Sequence, residues 1–449
     1  MTPGDKPPEG HTWPEILCTS VRSLPEHRTL WIALSGGLDS TLLAHLAAYC
    51  YPTPHDVRAI HVNHQLQPNA DATERFCRQL CEQLAIPLTC RRVDVQRSGG
   101  RAGGLEESAR QARYDVFEQL LEPSDLLLMA HHADDQAETL LFRLIRGTGV
   151  RGLAGMPRKR PLGKGLLYRP LLDFSRGDLS GWATAAGLPW IDDPSNADAR
   201  FDRNFLRQRV LPLIRSRWPE LNRRISHTAR ACGESVFLAD RLAALHWEQC
   251  ADHCGRLVIE RLAGLCPVER KNLITWWIRG AGYPEPALRD WGQVIGELIG
   301  ARQDGAPEIV GEGFAIRRFS DRLYLVPATP EALPVDAELS PQRPLRWGEW
   351  SIRLIPASEQ TLPNPAIRVS TRQGGETFQP TPRGYDRPLK KWLQEQAVPP
   401  WERARLPLVF SVEGDQQRLI AIGDLWCSGQ YSGSAPAAGW RLIVERDCD

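Results

Sequence analysis

The first half of the chain alternates two hydrophobic patterns. Apolar runs at Leu30–Leu34, Val57–His64, Leu88–Val95 and Asp125–His131 predict strands. The first and fourth are continuous, as expected of strands covered on both faces. Apolar positions recur at helical spacing over Asp39–Tyr49, Asp71–Leu84, Leu105–Leu121 and Asp134–Arg146. This alternation predicts an α/β domain, a parallel sheet with helices on both faces and ligands at the carboxyl ends of its strands. From about Asp173 to Gly300 the pattern is mostly helical. Pro327, Pro330, Pro334, Pro341 and Pro344 then mark a linker. Beyond Trp347, strand-like runs at Leu408–Val412 and Leu419–Ile422 accompany a helix near Pro388–Gln396, which predicts a small α+β domain. The expected divisions are 1–222, 223–326, a linker at 327–346, and 347–449.

Composition changes this picture little. A chain of 449 residues with 42% hydrophobic and 24% charged residues is an ordinary globular protein of two or three domains. No apolar run approaches the roughly 20 residues of a membrane span. Met1-Thr2-Pro3-Gly4-Asp5-Lys6 has no basic patch leading into an apolar core. The expectation is a cytoplasmic protein without a membrane partner. The 11 cysteines, odd in number and scattered, fit reduced thiols. Charge matters more. Net charge is +1, yet Leu141–Arg230 holds 18 Lys+Arg against 7 Asp+Glu. Such a belt suits a polyanion such as nucleic acid, although a solvated arginine-rich surface is an equal account of the charge alone.

The chemistry concentrates in two stretches. In "LWIALSGGLDSTLLAHLAAY", Leu30–Tyr49, a buried strand hands over to a helix through Ser35-Gly36-Gly37-Leu38-Asp39-Ser40. Glycines there allow close backbone approach, and successive N–H groups at a helix start face an anion. Ser35 and Ser40 add hydroxyls. Asp39 would repel a bare phosphate, so it calls for a divalent cation. No Gly-Lys-Ser/Thr is present, so this is not a Walker loop. In "MAHHADDQAETLLFRLIRGTG", Met129–Gly149, the strand should bring His131 and His132 to the same sheet edge. Asp134, Asp135 and Glu138 fall at the following helix start, where they are favoured by the dipole even as plain caps. Oxygen-rich Mg²⁺ coordination fits this set better than zinc. Cys77/Cys81 and Cys250/Cys254 are spaced C-x-x-x-C, more often plain thiols than ligands, and no C-x-x-C occurs.

Ser35–Ser40 resembles the SGGxDS loop of the N-type ATP pyrophosphatases, the PP-loop superfamily, with its Rossmann-like domain. The run HH-x-DD-Q-x-E-T with Arg146–Met156, and also Gly104–Tyr114, Arg169–Leu179 and Asp192–Pro212, is similar to the tRNA(Ile)-lysidine synthases. So is the segment "GGETFQPTPRGYDRPLKKWLQEQAVPPWERARLPLVF". One departure is Asn63-His64-Gln65-Leu66-Gln67, where members carry an NHGLR-like run; no arginine stands at Gln67.

The resemblance implies an ATP-dependent ligase. It adenylates the C2 oxygen of the wobble cytidine in the CAU anticodon of an isoleucine tRNA, and the ε-amine of free lysine then displaces AMP. It also implies ATP with Mg²⁺, a helical substrate-binding domain at 223–326 and a tRNA-binding domain at 347–449. A homodimer is compatible with it. On this reading Ser35, Gly36, Gly37, Leu38, Asp39 and Ser40 hold the phosphates, with Asp39 and Asp135 as Mg²⁺ ligands. Asp135 alternatively positions the lysine ammonium. His132 and Glu138 position lysine or move its proton, and Arg113 and Arg207 neutralise the α-phosphate or hold the adenylate. The tRNA would lie on the belt (Arg151, Arg158, Lys159, Arg160, Arg200, Arg203, Arg207, Arg209) and on Arg383, Arg387, Lys390, Lys391 and Arg405 around Trp392 and Trp401. The competing readings are a tRNA thiolase, a small-molecule synthetase of the same loop family, and a tRNA-binding protein that only senses ATP.

Overall fold

The computed structural model describes residues 12–51, 57–66, 69–94, 104–192, 202–301, 307–329, 334–341, 343–357, 365–381, 384–414, 416–433, 436 and 439–446, without the side chains of 104–106 and 413. Val95, Gln67, Arg200, Arg383 and Pro330 lie outside the described residues. The chain divides into two compact units, Met1–Leu238 and Ala239–Asp449.

In the first unit, Thr29–Ala33 forms β1. It pairs in parallel with β2 (Val57–Asn63) on one side and β4 (Asp125–Leu128) on the other. β3 (Leu88–Arg92) lies beyond β2. β6 (Gly165–Tyr168) lies beyond β4, and β5 (Lys159–Leu162) closes that edge antiparallel to β6. The order is therefore β3-β2-β1-β4-β6-β5. The chain runs outward from β1 to β3, then restarts beside β1. Between the carboxyl ends of β1 and β4 the winding reverses, and an open α/β sheet binds its ligands at such a point.

Strand alternation sorts the two cores. Leu30, Ile32, Leu126 and Leu128 face α1 (Glu15–Arg22), α2 (Leu38–Cys50), α3 (Ala70–Gln83) and α7 (Arg176–Ala185). Trp31, Ile60, Leu127 and Leu167 face Tyr114 and Phe117 of α4 (Gly104–Leu120) and Leu121 just after it. α5 (Ala133–Ile145) follows β4 and packs Ala137 and Leu140 on Leu211, Ile225 and Ala229. The short α6 (Val150–Leu153) succeeds it. Leu211 begins α9 (Leu211–Arg217), which continues α8 (Asp202–Phe205) through a π-helical turn at Leu206–Val210; Ile225 and Ala229 belong to α10 (Leu221–Cys250).

The four predicted strands and helices of the first half are present with ends that agree to within three residues; β4 stops at Leu128, and His131 and His132 follow it. The β5–β6 hairpin is additional. Lys159-Arg160-Pro161 belongs to an edge strand with little burial, so it shows no apolar run.

The second unit has the expected helical region, α11 (Ile259–Ala263), α12 (Pro267–Gly280) and α13 (Trp291–Gly300). It also holds an antiparallel sheet of β7 (Leu257–Val258), β8 (Glu308–Val310), β9 (Phe314–Phe319) and β10 (Arg322–Pro327). The C-terminal part combines a five-stranded and a three-stranded sheet with one helix at Leu389–Glu395 and a single turn at Pro400–Arg403. Within 327–346, Ala337–Glu338 pairs with Ile367–Ser370 and Leu345–Trp347 pairs with Trp350–Pro356. Trp392 is buried edge-on against Phe378, and Trp401 packs on Tyr324, Phe319 and Arg317, so both rings are engaged in packing. No described helix is long and apolar enough to cross a membrane.

A polar knot fixes the end of β2. Buried Glu74 accepts from Asn63 (3.0 Å), Arg78 (2.8 Å) and Arg92 (3.0 Å), and Asn63 in turn accepts the Gln65 N–H. Hydrogen bonding by Arg78 first, then Asn63 and Arg92, pulls the Glu74 carboxyl down to about 2. A depressed carboxyl contributes stability above its ordinary value, about 4.3, and loses it as pH falls toward 2. Glu74→Gln should cost about 1–2 kcal/mol at pH 7, discounted because the arginines are half exposed. That deficit should shrink between about pH 4.5 and 2. Urea unfolding at pH 7 and pH 3 measures both; equal midpoints at pH 7 would remove Glu74 as a stabilising centre.

Candidate active site at the sheet switch point

The loop after β1 turns on Gly36, whose φ is +81°. A Cβ there would sit 2.9 Å from Thr73 Cγ2 and 3.3 Å from Cys77 Sγ, so glycine is required on both counts. Gly37 is the N-cap of α2, and no side chain caps that helix. The first-turn N–H groups therefore remain for an anion. Ser40 is spent on the loop itself. Its buried Oγ accepts from the Ser35 N–H (3.1 Å), donates to the Gly37 carbonyl (3.1 Å) and lies 2.9 Å from Ser35 Oγ. Leu38 packs its side chain into the core, leaving only its backbone for a ligand.

Across the crevice, His132 is the N-cap of α5. Its Nδ1 accepts from the Asp135 N–H (3.4 Å), and Asp135 Oδ2 accepts from the His132 N–H (3.0 Å). In the neutral ring this leaves the proton on Nε2. That nitrogen faces Asp39 Oδ2 at 3.6 Å and Asp135 Oδ2 at 3.4 Å. Burial, and Asp135 nearby, raise the Asp39 carboxyl against the pull of His132. Asp39 Oδ1 is buried with no hydrogen-bond partner among the described residues. A buried, orphaned carboxylate oxygen facing a second carboxylate suits a hard divalent cation.

Arg207 comes from the π-helical turn, a local distortion often found at functional sites. Its Nε and Nη2 donate to the two Glu138 oxygens at 2.6 and 2.9 Å, and Nη2 also donates to Asp135 at 3.1 Å. Burial raises the 4%-exposed Glu138 carboxyl, with Arg207 opposing. Burial would raise Asp135 as well, but His132, its backbone N–H and Arg207 outweigh it and hold that carboxyl down. Asp135 therefore stays charged.

The structure brings Asp39, His132, Asp135, Glu138 and Arg207 together and places Arg113 beside His131 and His64. Asp134, four residues before Glu138, turns away from it. It holds Arg215 (2.6 Å), Asn222 (3.0 Å) and the Arg176 N–H (2.8 Å). Sequence reasoning missed Arg169, which is 2% exposed and donates to His131 Nδ1 at 3.1 Å and to the Pro157 carbonyl at 2.6 Å. Burial first, and the arginines Arg169, Arg110 and Arg113, pull His131 down to about 3, so its ring is neutral. Nothing in the spacing of Arg169 announces that contact.

Three family models match: the PP-loop domain over residues 15–214, the TilS substrate binding domain over 257–324 and the TilS substrate C-terminal domain over 367–444. The chain is 37% identical to the tRNA(Ile)-lysidine synthase of Coxiella burnetii, covering 96% of each protein. It is 38% identical to that of Alkalilimnicola ehrlichii, over 96% of this chain and 97% of the relative.

The chain belongs to the tRNA(Ile)-lysidine synthase family.

Within that family frame, the Glu138–Arg207 pair is the contact most exposed to test. Removing one partner of a buried pair strands the other charge. Arg207→Ala should cost about 3 kcal/mol at pH 7, and Arg207→Ala with Glu138→Gln distinctly less. Urea unfolding of both variants checks this; a double variant no more stable than the single would show that stranded charge is not the cause.

Proposed function

We propose that this protein activates the wobble cytidine of an isoleucine tRNA bearing a CAU anticodon and joins it to lysine. In the first step the cytidine C2 oxygen attacks the α-phosphate of ATP and pyrophosphate leaves. In the second the lysine ε-amine attacks C2, AMP leaves, and the amine gives up a proton. A C2 carbonyl has no adequate leaving group, and the AMP ester supplies one. The tRNA then reads AUA instead of AUG and carries isoleucine identity.

One observation carries the reading: an uncapped α2 N-terminus with Asp39 facing His132 and Asp135 across the switch point. We assign Gly36, Gly37 and the first-turn N–H groups to the ATP phosphates. Asp39 and Asp135 would hold Mg²⁺, which when bound offsets phosphate charge. Asp135, kept ionised, also attracts the lysine ammonium. Glu138 is committed to Arg207 in both oxygens, so its role is to aim that guanidinium at a phosphate. His132 Nε2, facing two carboxylates, acts as a donor that positions them. We assign 1–222 to catalysis, 223–326 and 347–449 to tRNA binding, and the reaction to the cytoplasm, where ATP, lysine and tRNA meet.

Purified protein with ATP, Mg²⁺, this tRNA and lysine should release pyrophosphate and incorporate lysine into the RNA. Asp39→Ala should lower both by roughly 100-fold or more. Pyrophosphate release without lysine transfer would demand another nucleophile, and no tRNA-dependent release would reject the reading. Charge reversal at exposed Lys390 and Lys391 should weaken tRNA binding about tenfold near 0.1 M salt while sparing the ATP KM. Unchanged tRNA affinity would exclude that helix from docking.

A further inference from the structure

Two aromatic rings near the site are each flanked by two guanidinium groups. Tyr114 on α4 has Arg110 Cζ at 5.0 Å and Arg160 Cζ at 4.9 Å from its ring centroid. Phe142 on α5 has Arg146 Cζ at 5.1 Å and Arg203 Cζ at 5.9 Å. Arginines beside the carboxylates are neutralised, Arg207 by Glu138 and Asp135, Arg215 by Asp134. None of the four flanking arginines pairs with a carboxylate among the described residues; Arg110 reaches the Tyr114 hydroxyl at 3.5 Å and Arg160 the Pro161 carbonyl at 3.2 Å.

The two groups form one arc. Arg143, lowered first by burial, also feels both Arg203 and Arg110. Arg169, pulled down to about 10 first by burial, feels Arg160 and Arg110 despite the opposing effect of Tyr114. Uncompensated like charge of this density costs the folded state and is offset when an anion arrives. A guanidinium stacked on a ring keeps its edge N–H groups for bidentate contact with phosphate.

We propose that the two arginine–aromatic–arginine clamps bind backbone phosphates of the single-stranded RNA whose nucleotide enters the Asp39–His132 crevice. The identity of that RNA, an anticodon loop, rests on the function proposed above. Four cations on two separate rings exceed what one lysine carboxylate could engage, and their spread over α4, the C-cap of α5, β5 and α8 suits a chain of phosphodiesters.

The test uses the full chain and an anticodon stem-loop RNA, with Kd measured across KCl concentrations. Arg160→Gln and Arg203→Gln should each weaken binding about fivefold to tenfold near 0.1 M salt and reduce the log–log salt slope by about 0.7. The KM values for ATP and lysine should stay unchanged, which also shows an intact fold. Arg160→Lys should recover the slope. A methylphosphonate at the phosphate that a clamp contacts should cost the parent protein affinity and cost the matching Gln variant nothing further. Unchanged RNA affinity and slope in both Gln variants, in a parent that forms lysidine, would overturn the clamps alone. A rise only in the lysine KM would overturn them and give the arc to a carboxylate. Weakened RNA binding by variants of a parent that forms no lysidine would support the clamps and overturn the function they were read against.

Discussion

Parallel pairing of β1 with β4 is the contact on which the site depends. The register Leu30↔Leu126 through Ile32↔Leu128 sets two strand ends side by side. One end leads into the Gly36–Gly37 loop and α2, the other into His132 and α5. Two helix N-termini then open onto one crevice, α2 with Asp39 in its first turn and α5 with Asp134 and Asp135. Slipping this pairing by one residue would turn Leu126 and Leu128 off their core face. It would also part Asp39 from His132.

The crevice is divided electrically. Asp135 and Glu138 are hydrogen-bonded to Arg207, while Asp39 leaves one buried carboxylate oxygen unsatisfied. A few residues along, Arg110, Arg160 and Arg169 gather around Tyr114 and a neutral His131. A substrate set of metal-bound nucleotide, ammonium and polyanion matches such a division, because each half is short of the charge that one of those groups supplies. The capping box of His132 and Asp135 fixes the boundary, since Asp135 is at once the cap partner, a neighbour of Arg207 and the group that faces His131.

Rigidity comes from side chains whose hydrogen bonds are made within the protein. Ser40 ties both ends of the loop together, and Asp134 binds α5 to α7, α9 and α10. Both fall inside motifs whose polar side chains look available for chemistry. Their hydrogen bonds are consumed internally, which preorganises the groups beside them.

The sequence by itself determined the α/β alternation, the glycine loop, the acidic helix start and the family, because each is written in contiguous residues. Strand-to-helix handover at Ser35–Ser40 needs no distant partner to be recognised. Tertiary structure decided the rest. Arg207 meets Glu138 across 69 residues of chain, and only the packing of Leu211 and Ile225 on α5 brings it there. Leu38 and Ser40 sit in the motif yet face the core or the loop, since local spacing does not say where a side chain points. The β5–β6 hairpin, Arg169 on His131 and the arginines stacked on Tyr114 were invisible because an edge strand and a cation–π contact leave no periodic trace. Pairing at long range, not composition, fixes them.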